Sequence, residues 1–349
     1  MRSKTLSAVV AVGVMTSMFL PQPVSARAVH RTQPAAVHRT IPTTGGGIDV
    51  AIQANTGNLW RTEPNGRDLG LRVRSGTSPS IAHLPNGEFV VAFQGDNGNL
   101  WTTGDVGTRD WGLSMMPGTN PSITALPNNQ FVVAYQASNT QLSIAGAEVA
   151  NWGLGMMPGT SPSITTLSNG RYQVAFQANT GNVWTAGGAG TRDWGITMRP
   201  GTSPSITALS NGRFVVALQA ITSSLWTVGA DFGDWRFGLM AETSPSITTL
   251  RNGQVEIAFQ ANTGNLWTVG AGKHYDWGIA MWPGTSPSIT ALHNGSYEVA
   301  VQARNTQLWT VGEQFINTTL GMMPGTSPSI TTAPLPLPEP EPTDTRLPD

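Results

Sequence analysis

The stretch Pro79-Ser-Ile-Ala-His-Leu-Pro-Asn-Gly-Glu-Phe-Val-Val-Ala-Phe-Gln-Gly-Asp-Asn-Gly-Asn-Leu-Trp-Thr-Thr103 decides the fold, because its pieces recur along the chain at a fixed step. Pro-Ser-Ile begins at Pro79, Pro121, Pro162, Pro204, Pro245, Pro287 and Pro328, in steps of 41 or 42. A glutamine closes an apolar run at Gln53, Gln94, Gln136, Gln177, Gln219, Gln260 and Gln302, again every 41 or 42 residues. Such self-similarity marks a repeat architecture, in which one supersecondary unit is copied and packed on its neighbours.

Within one unit the residues predict four strands. Ser80–Leu84 is a short strand, and Pro85-Asn-Gly87 a turn. Phe89–Gln94 is an apolar strand, and Asp96-Asn-Gly98 a second turn. Asn99–Thr103 is the third strand, and Trp111–Met115 the fourth. Asn and Gly supply the turn chemistry between them. The second strand does not alternate polar with apolar, as befits a sheet covered on both faces.

Seven such units predict an all-β, seven-bladed β-propeller of four-stranded blades. The repeats open at Ile48 with a second strand, Ile48-Asp-Val-Ala-Ile-Gln53, and close with a lone first strand, Ser329-Ile-Thr-Thr332. The last segment therefore completes the first blade, which seals the ring and leaves no inner edge unpaired. An open β-solenoid does not explain why the piece missing at one end is present at the other. The loop between the two tryptophan-bearing strands alternates between ten residues (Trp101 to Trp111, Trp184 to Trp194, Trp267 to Trp277) and nine (Ser143 to Trp152, Trp226 to Trp235). With an odd number of blades, two of like type must meet once.

The composition fits this reading. Among 349 residues there are 40 glycines, 25 prolines and 12 tryptophans, while only 11% are charged, so turns are plentiful and wet helix faces are not. A formal net charge of −1 recruits neither nucleic acid nor an anionic membrane. There is no cysteine, which excludes disulfides and thiolate chemistry. Residues 1–28 read as a secretory signal: Arg2 and Lys4, an apolar run from Leu6 to Leu20, and cleavage after Ala26 or Ala28. That run is too short to span a bilayer, so a secreted protein without integral membrane association is expected. Residues 29–47 form a linker, 48–333 the propeller, and 334–349 a Pro-rich acidic tail.

No enzyme signature stands. Gly-Thr-Ser-Pro-Ser lacks the final glycine of a nucleophile elbow. The five histidines have no metal-ligand spacing, and no run of alternating acids suits calcium, so neither metal nor cofactor is expected. Asp110, Asp193 and Asp276 recur before tryptophan, as turn or cap residues do; no unique pair of acids suggests glycoside hydrolysis. The turn Asn179-Thr-Gly-Asn-Val-Trp184 is similar to the tryptophan-docking motif of quinoprotein propellers and to the Asp-box hairpin of sialidases, where such turns are structural.

Position suggests a binding role. In a propeller the loop leading into each first strand shares a face with the turn between second and third strands. Here that face carries glutamine, asparagine, threonine and serine beside a tryptophan. An indole next to neutral hydrogen-bonding groups suits a sugar, whose C–H face packs on the ring while its hydroxyls meet amides and hydroxyls. The candidate carbohydrate-binding residues are Trp60, Trp101, Trp184 and Trp267; Asn99, Asn182 and Asn265; and Thr119, Thr202 and Thr285. The same tryptophans, read structurally, wedge between blades.

The unit Gly-Thr-Ser-Pro-Ser-Ile … Asn-Gly … Val-Ala-Phe-Gln-Ala-Asn-Thr-Gly-Asn-Leu-Trp … Asp-Trp-Gly resembles the PLL-like β-propellers over about residues 45–333. That family includes bacterial seven-bladed lectins that bind fucose and related sugars, O-methylated ones among them, in grooves between blades. The resemblance implies glycan partners, several equivalent sites and no catalysis. Departures fall at Ser143, which replaces the third-strand tryptophan; at Ile221-Thr-Ser-Ser and Ala241-Glu242 in the fifth unit; and at Thr318 in the last. The best-kept units surround Trp101, Trp184 and Trp267, followed by Trp60. The alternatives are a protein- or cell-wall-binding scaffold and a propeller glycoside hydrolase.

Overall fold

A computed structural model describes residues 47–63 and 66–333. The expected signal segment, most of the linker and the Pro-rich tail lie outside them. Seven antiparallel sheets of four strands are arranged as a ring. Blade 2 is representative, with strands Ser80–His83, Phe89–Gln94, Asn99–Gly104 and Arg109–Ser114 from the axis outward. Blades 3 to 7 repeat this order from Ser122, Ser163, Ser205, Ser246 and Ser288. Blade 1 is composite: Ser329–Thr332 pairs with Ile48–Gln53, which pairs in turn with Asn58–Arg61 and Arg67–Arg72. The C-terminal strand thus closes the ring, as the sequence predicts.

The second strands are buried almost throughout, which accounts for their continuous apolar character. The core is divided into seven clusters. Most straddle neighbouring blades, for example Trp152 and Leu154 of blade 3 with Phe176, Tyr172 and Trp184 of blade 4. Each cluster removes apolar surface that a single flat blade could not bury alone.

Two rings of hydrogen bonds explain why Ser-Pro-Ser-Ile repeats. The amide of each Pro-Ser-Ile isoleucine donates to the serine hydroxyl of the preceding blade at 3.1–3.2 Å, from Ile81 to Ser329 through Ile330 to Ser288. In the opposite sense, each linker amide donates to the next linker's Ser or Asn: Ser78 to Asn120, Asn120 to Ser161, and so on until Ser327 donates to Ser78. Seven inner strands that do not pair as one sheet satisfy part of their backbone in this way.

The outer strand departs slightly from expectation. In blade 2 it runs Arg109–Ser114, starting two residues early, and its pairing slips between Asn99 and Trp101. The Asp110 carboxylate accepts the Gly112 amide at 2.9 Å, and Gly112 sits at φ 65°. This Asx turn makes the bulge. Third- and fourth-strand partners are nine residues apart in blades 2, 4 and 6 (Trp101 with Asp110, Trp184 with Asp193, Trp267 with Asp276). They are eight apart in blades 3, 5, 7 and 1, so the like pair required by odd symmetry is blades 7 and 1.

Candidate functional site

The face carrying the second-to-third-strand turns is built on a buried latch. The side chains of the seven repeated glutamines are almost wholly enclosed. Gln177 Nε2 donates to the carbonyls of Gly181 and Met198, both at 3.3 Å, tying its own turn to the linker that leaves the blade. Gln94 does the same to Gly98 and Met115. The linker threonines belong to this frame. Thr119, Thr202 and Thr285 are 0% exposed, and their hydroxyls donate to the carbonyls of Met116, Arg199 and Trp282 at 2.7–2.8 Å. A buried hydroxyl with a partner three residues back closes a turn and presents nothing to a ligand. The three threonines therefore leave the candidate set.

Asn99, Asn182 and Asn265 are also occupied. Each donates its amide to the carboxylate across the hairpin, Asp110, Asp193 and Asp276 respectively, at 3.2–3.4 Å. Asn182 Oδ1 also accepts Thr197 at 3.0 Å. The recurring acids are the turn residues expected. The Gly112 amide, with help from Asn97 and Asn99, holds the Asp110 carboxyl below its ordinary range against a little burial. In blade 1, burial is outweighed by Asn58, Gly70 and Trp60, which together hold Asp68 low.

The four tryptophans all lie in inter-blade grooves and are partly buried, but they are not equivalent. Trp184 packs beside Phe176 with ring centroids 6.5 Å apart, against the outer strand of blade 3. Trp267 sits between Phe237 of blade 5 and His274, its indole parallel to the imidazole. Trp60 faces Leu320 of blade 7. In Trp184 and Trp267 the indole N–H is buried without a partner. Trp101 is different: its N–H donates to Asn97 Oδ1 at 3.1 Å. It lies over Gly95, where a Cβ would come within 2.6 Å of Cδ1 and Nε1. The other third-strand tryptophans have alanine at this turn position, namely Ala54, Ala178, Ala220, Ala261 and Ala303, and so cannot fold over in that way.

Two features escaped sequence reasoning. First, Asn55, Asn179 and Asn262, at the start of the turn, are exposed, and their side-chain amides make no hydrogen bond. Each lies on the outer strand of the preceding blade: a Cβ added to Gly321, Gly155 or Gly238 would meet Nδ2 at 2.7, 2.5 or 2.8 Å. Their backbone amides donate to those same glycines' carbonyls at 3.0–3.1 Å. The signal was a pairing of asparagine with glycine, 24 residues earlier for Asn179 and Asn262 and brought round by ring closure for Asn55, legible only once the blades are in register. Second, a cleft of about 510 Å³ opens at the opposite end of the blade 2/3 groove, lined by Trp111, Arg109, Thr108, Asn129 and Phe131. Arg109 lies 3.8 Å above the Trp111 ring, and Arg192 repeats this over Trp194 at 4.0 Å. Gly-Thr-Arg-Asp-Trp at 107–111 and 190–194 was the available clue.

Among the described residues no group of three or more His, Asp or Glu side chains could hold a metal ion, and no helix is long and apolar enough to cross a membrane.

No family model and no curated protein matches the chain. Solved structures do. BP39L lectin from Burkholderia pseudomallei aligns at 12% identity and TM-score 0.61, covering 81% of this chain and 95% of its own. Aleuria aurantia lectin, solved as a mutant with Fucalpha1-6GlcNAc, aligns at 14% identity and TM-score 0.51 over 69% of this chain and 95% of its own. A mutant of AofleA from Arthrobotrys oligospora aligns at 12% identity and TM-score 0.50 over 75% and 90%. At such identities the likeness is one of fold, and it agrees with the strand order: the chain is a β-propeller of seven four-stranded blades.

Proposed function

We propose that this chain is a secreted, multivalent, non-catalytic carbohydrate-binding protein that takes fucose or a related sugar, O-methylated sugars included, in its inter-blade grooves. The observation that carries the reading is the repeated groove in which a partly exposed indole lies beside uncharged amides. An apolar ring with neutral donors and acceptors matches a pyranose better than a charged or nucleotide ligand. Fucose-binding propellers among the similar folds support the sugar class. The recurring acids accept the amides of Asx turns, a structural role that supports the non-catalytic reading. Repetition on one rigid ring adds avidity, by about 10²–10⁴ when several sites engage one surface.

A glycan array with fucosylated and O-methylated sugars tests this directly. Binding is expected, with Trp184→Ala weakening it while the melting transition stays cooperative. Silence across the array from well-folded protein would favour the scaffold reading, and turnover of chromogenic glycosides would favour a hydrolase.

A further inference from the structure

Resting on the carbohydrate reading, we infer that the working sites are three of the seven grooves, those between blades 3 and 4, 5 and 6, and 7 and 1, and that Asn179, Asn262 and Asn55 are their specificity-determining residues. Across each groove, the last residue of one outer strand meets the first turn residue of the next blade. Six pairs are joined by a backbone bond, Ser114 with Ser138, Gly155 with Asn179, Thr197 with Ile221, Gly238 with Asn262, Ala280 with Arg304 and Gly321 with Asn55, and the seventh, Arg72 with Asp96, meets through its side chains. Asparagine occurs only where the partner is glycine. Gly155, Gly238 and Gly321 all lack a positive φ, so glycine is there for space and not for backbone conformation. Space at that point lets the carboxamide lie flat across the neighbouring strand.

These amides are unlike the other candidates. They are exposed, make no hydrogen bond of their own, and yet are positioned by a backbone bond to the glycine carbonyl beneath them. A carboxamide offers two donors and an acceptor in one plane, which matches two adjacent hydroxyls of a sugar ring. Because the turn already fixes the backbone, binding has only the side-chain rotamers to order.

The other four grooves are blocked or stripped. Between blades 1 and 2, Arg72 Nε bonds Asp96 at 3.3 Å and the Trp101 N–H is taken by Asn97. Between blades 2 and 3 the third-strand ring is absent, Ser143 standing in its place. Between blades 4 and 5, Ile221 removes the amide and Ser224 accepts the Trp226 N–H at 3.1 Å. Between blades 6 and 7, Arg304 replaces the amide.

The test is titration calorimetry and native mass spectrometry of the full chain with methyl α-L-fucoside or the strongest array hit. Three ligands per chain are expected. Asn55→Ala, Asn179→Ala and Asn262→Ala should each remove one site, and the triple variant should lose affinity by about tenfold or more with its unfolding midpoint unchanged. As each replaced side chain is exposed, folding should survive, and circular dichroism would verify it. Seven ligands per chain, or full binding by the triple variant while Trp184→Ala still weakens it, would overturn the inference and leave the carbohydrate reading intact. No binding by wild-type protein to any array sugar would remove the carbohydrate reading itself.

Discussion

The groove between blades 3 and 4 and the groove between blades 1 and 2 are built from almost the same residues, and they differ in what is left free. Both have the buried glutamine latch, the Asn–Asp clasp and a third-strand tryptophan. In the first, Ala178 keeps Trp184 down in the groove and Asn179 lies unpaired on Gly155. In the second, Gly95 lets Trp101 fold onto its own turn and Arg72 pairs with Asp96. Three small changes therefore separate an open groove from a closed one. A repeat copies the frame faithfully because every blade must close the same ring, while solvent-facing positions on that frame can diverge at small cost.

The sharpest way to break the comparison is to convert one groove into the other. The triple variant Arg72→Gly, Gly95→Ala, Asp96→Asn should give blade 2 the open geometry, returning Trp101 to the groove and freeing an amide. The expected result is a fourth ligand per chain by native mass spectrometry. Unchanged stoichiometry in a folded triple variant would mean that the three differences do not decide opening.

Next in size are changes to what both grooves share. Gln177→Leu and Gln94→Leu each take away the side-chain donor to one buried linker carbonyl, Met198 or Met115, and weaken the tie between turn and linker, so each should cost about 1–2 kcal/mol in urea unfolding, and by similar amounts. A large difference between them would show that the latch is not the common element it looks to be.

The fold was legible in the sequence because its strongest constraints are periodic. Pro-Ser-Ile repeats because each serine accepts an amide from the next blade all the way round the ring. The site was only partly legible. Thr119 looks available in a Pro-Gly-Thr loop, but the turn buries its hydroxyl. Asn182 looks like a free amide, but Asp193 lies across the hairpin, eleven residues away, and takes it. Asn179 is free only because Gly155 belongs to another blade. Local turn chemistry can be read from neighbours in sequence, whereas groove chemistry depends on which strand end faces which turn.

A pH series extends the comparison to the second position of the second strands. Blade 2 has Val90 there and blade 4 has Gln173, whose side chain bonds the Gly190 carbonyl and the Ala189 amide. Blades 6 and 7 have glutamates. Burial pushes Glu256 up to about 7, its hydroxyl neighbours Tyr297 and Thr268 offsetting only part of the effect. Burial pushes Glu298 up to about 8 despite the Gln314 amide. A raised carboxyl means that the folded state holds protons the unfolded state has released. The contribution to stability is thus complete below about pH 4.5 and lost as pH rises through about 7 for Glu256 and about 8 for Glu298. Glu298→Gln, which copies blade 4, should stabilise the protein at pH 8.5 by on the order of 1–2 kcal/mol and leave it nearly unchanged at pH 4. Equal effects at both pH values would show that folding does not shift the Glu298 carboxyl.

The smallest effect isolates one part of the closed groove. The Arg72–Asp96 pair is exposed on both sides, and such pairs contribute about 0–1 kcal/mol. Asp96→Ala alone should therefore barely move the unfolding midpoint, and raising the salt concentration should not change that. It should not create a site either, because Trp101 would still lie over Gly95 with its N–H on Asn97. Gly95→Ala alone should act on the other part. Its Cβ would overlap the indole, forcing Trp101 out, with a change in tryptophan fluorescence and a loss of about 1 kcal/mol from the broken Asn97 bond. If Asp96→Ala by itself restored sugar binding to this groove, the ion pair would be the gate and the ring orientation incidental. If neither single change did so and the triple variant did, closure of the groove would be a joint property of the two blades that form it.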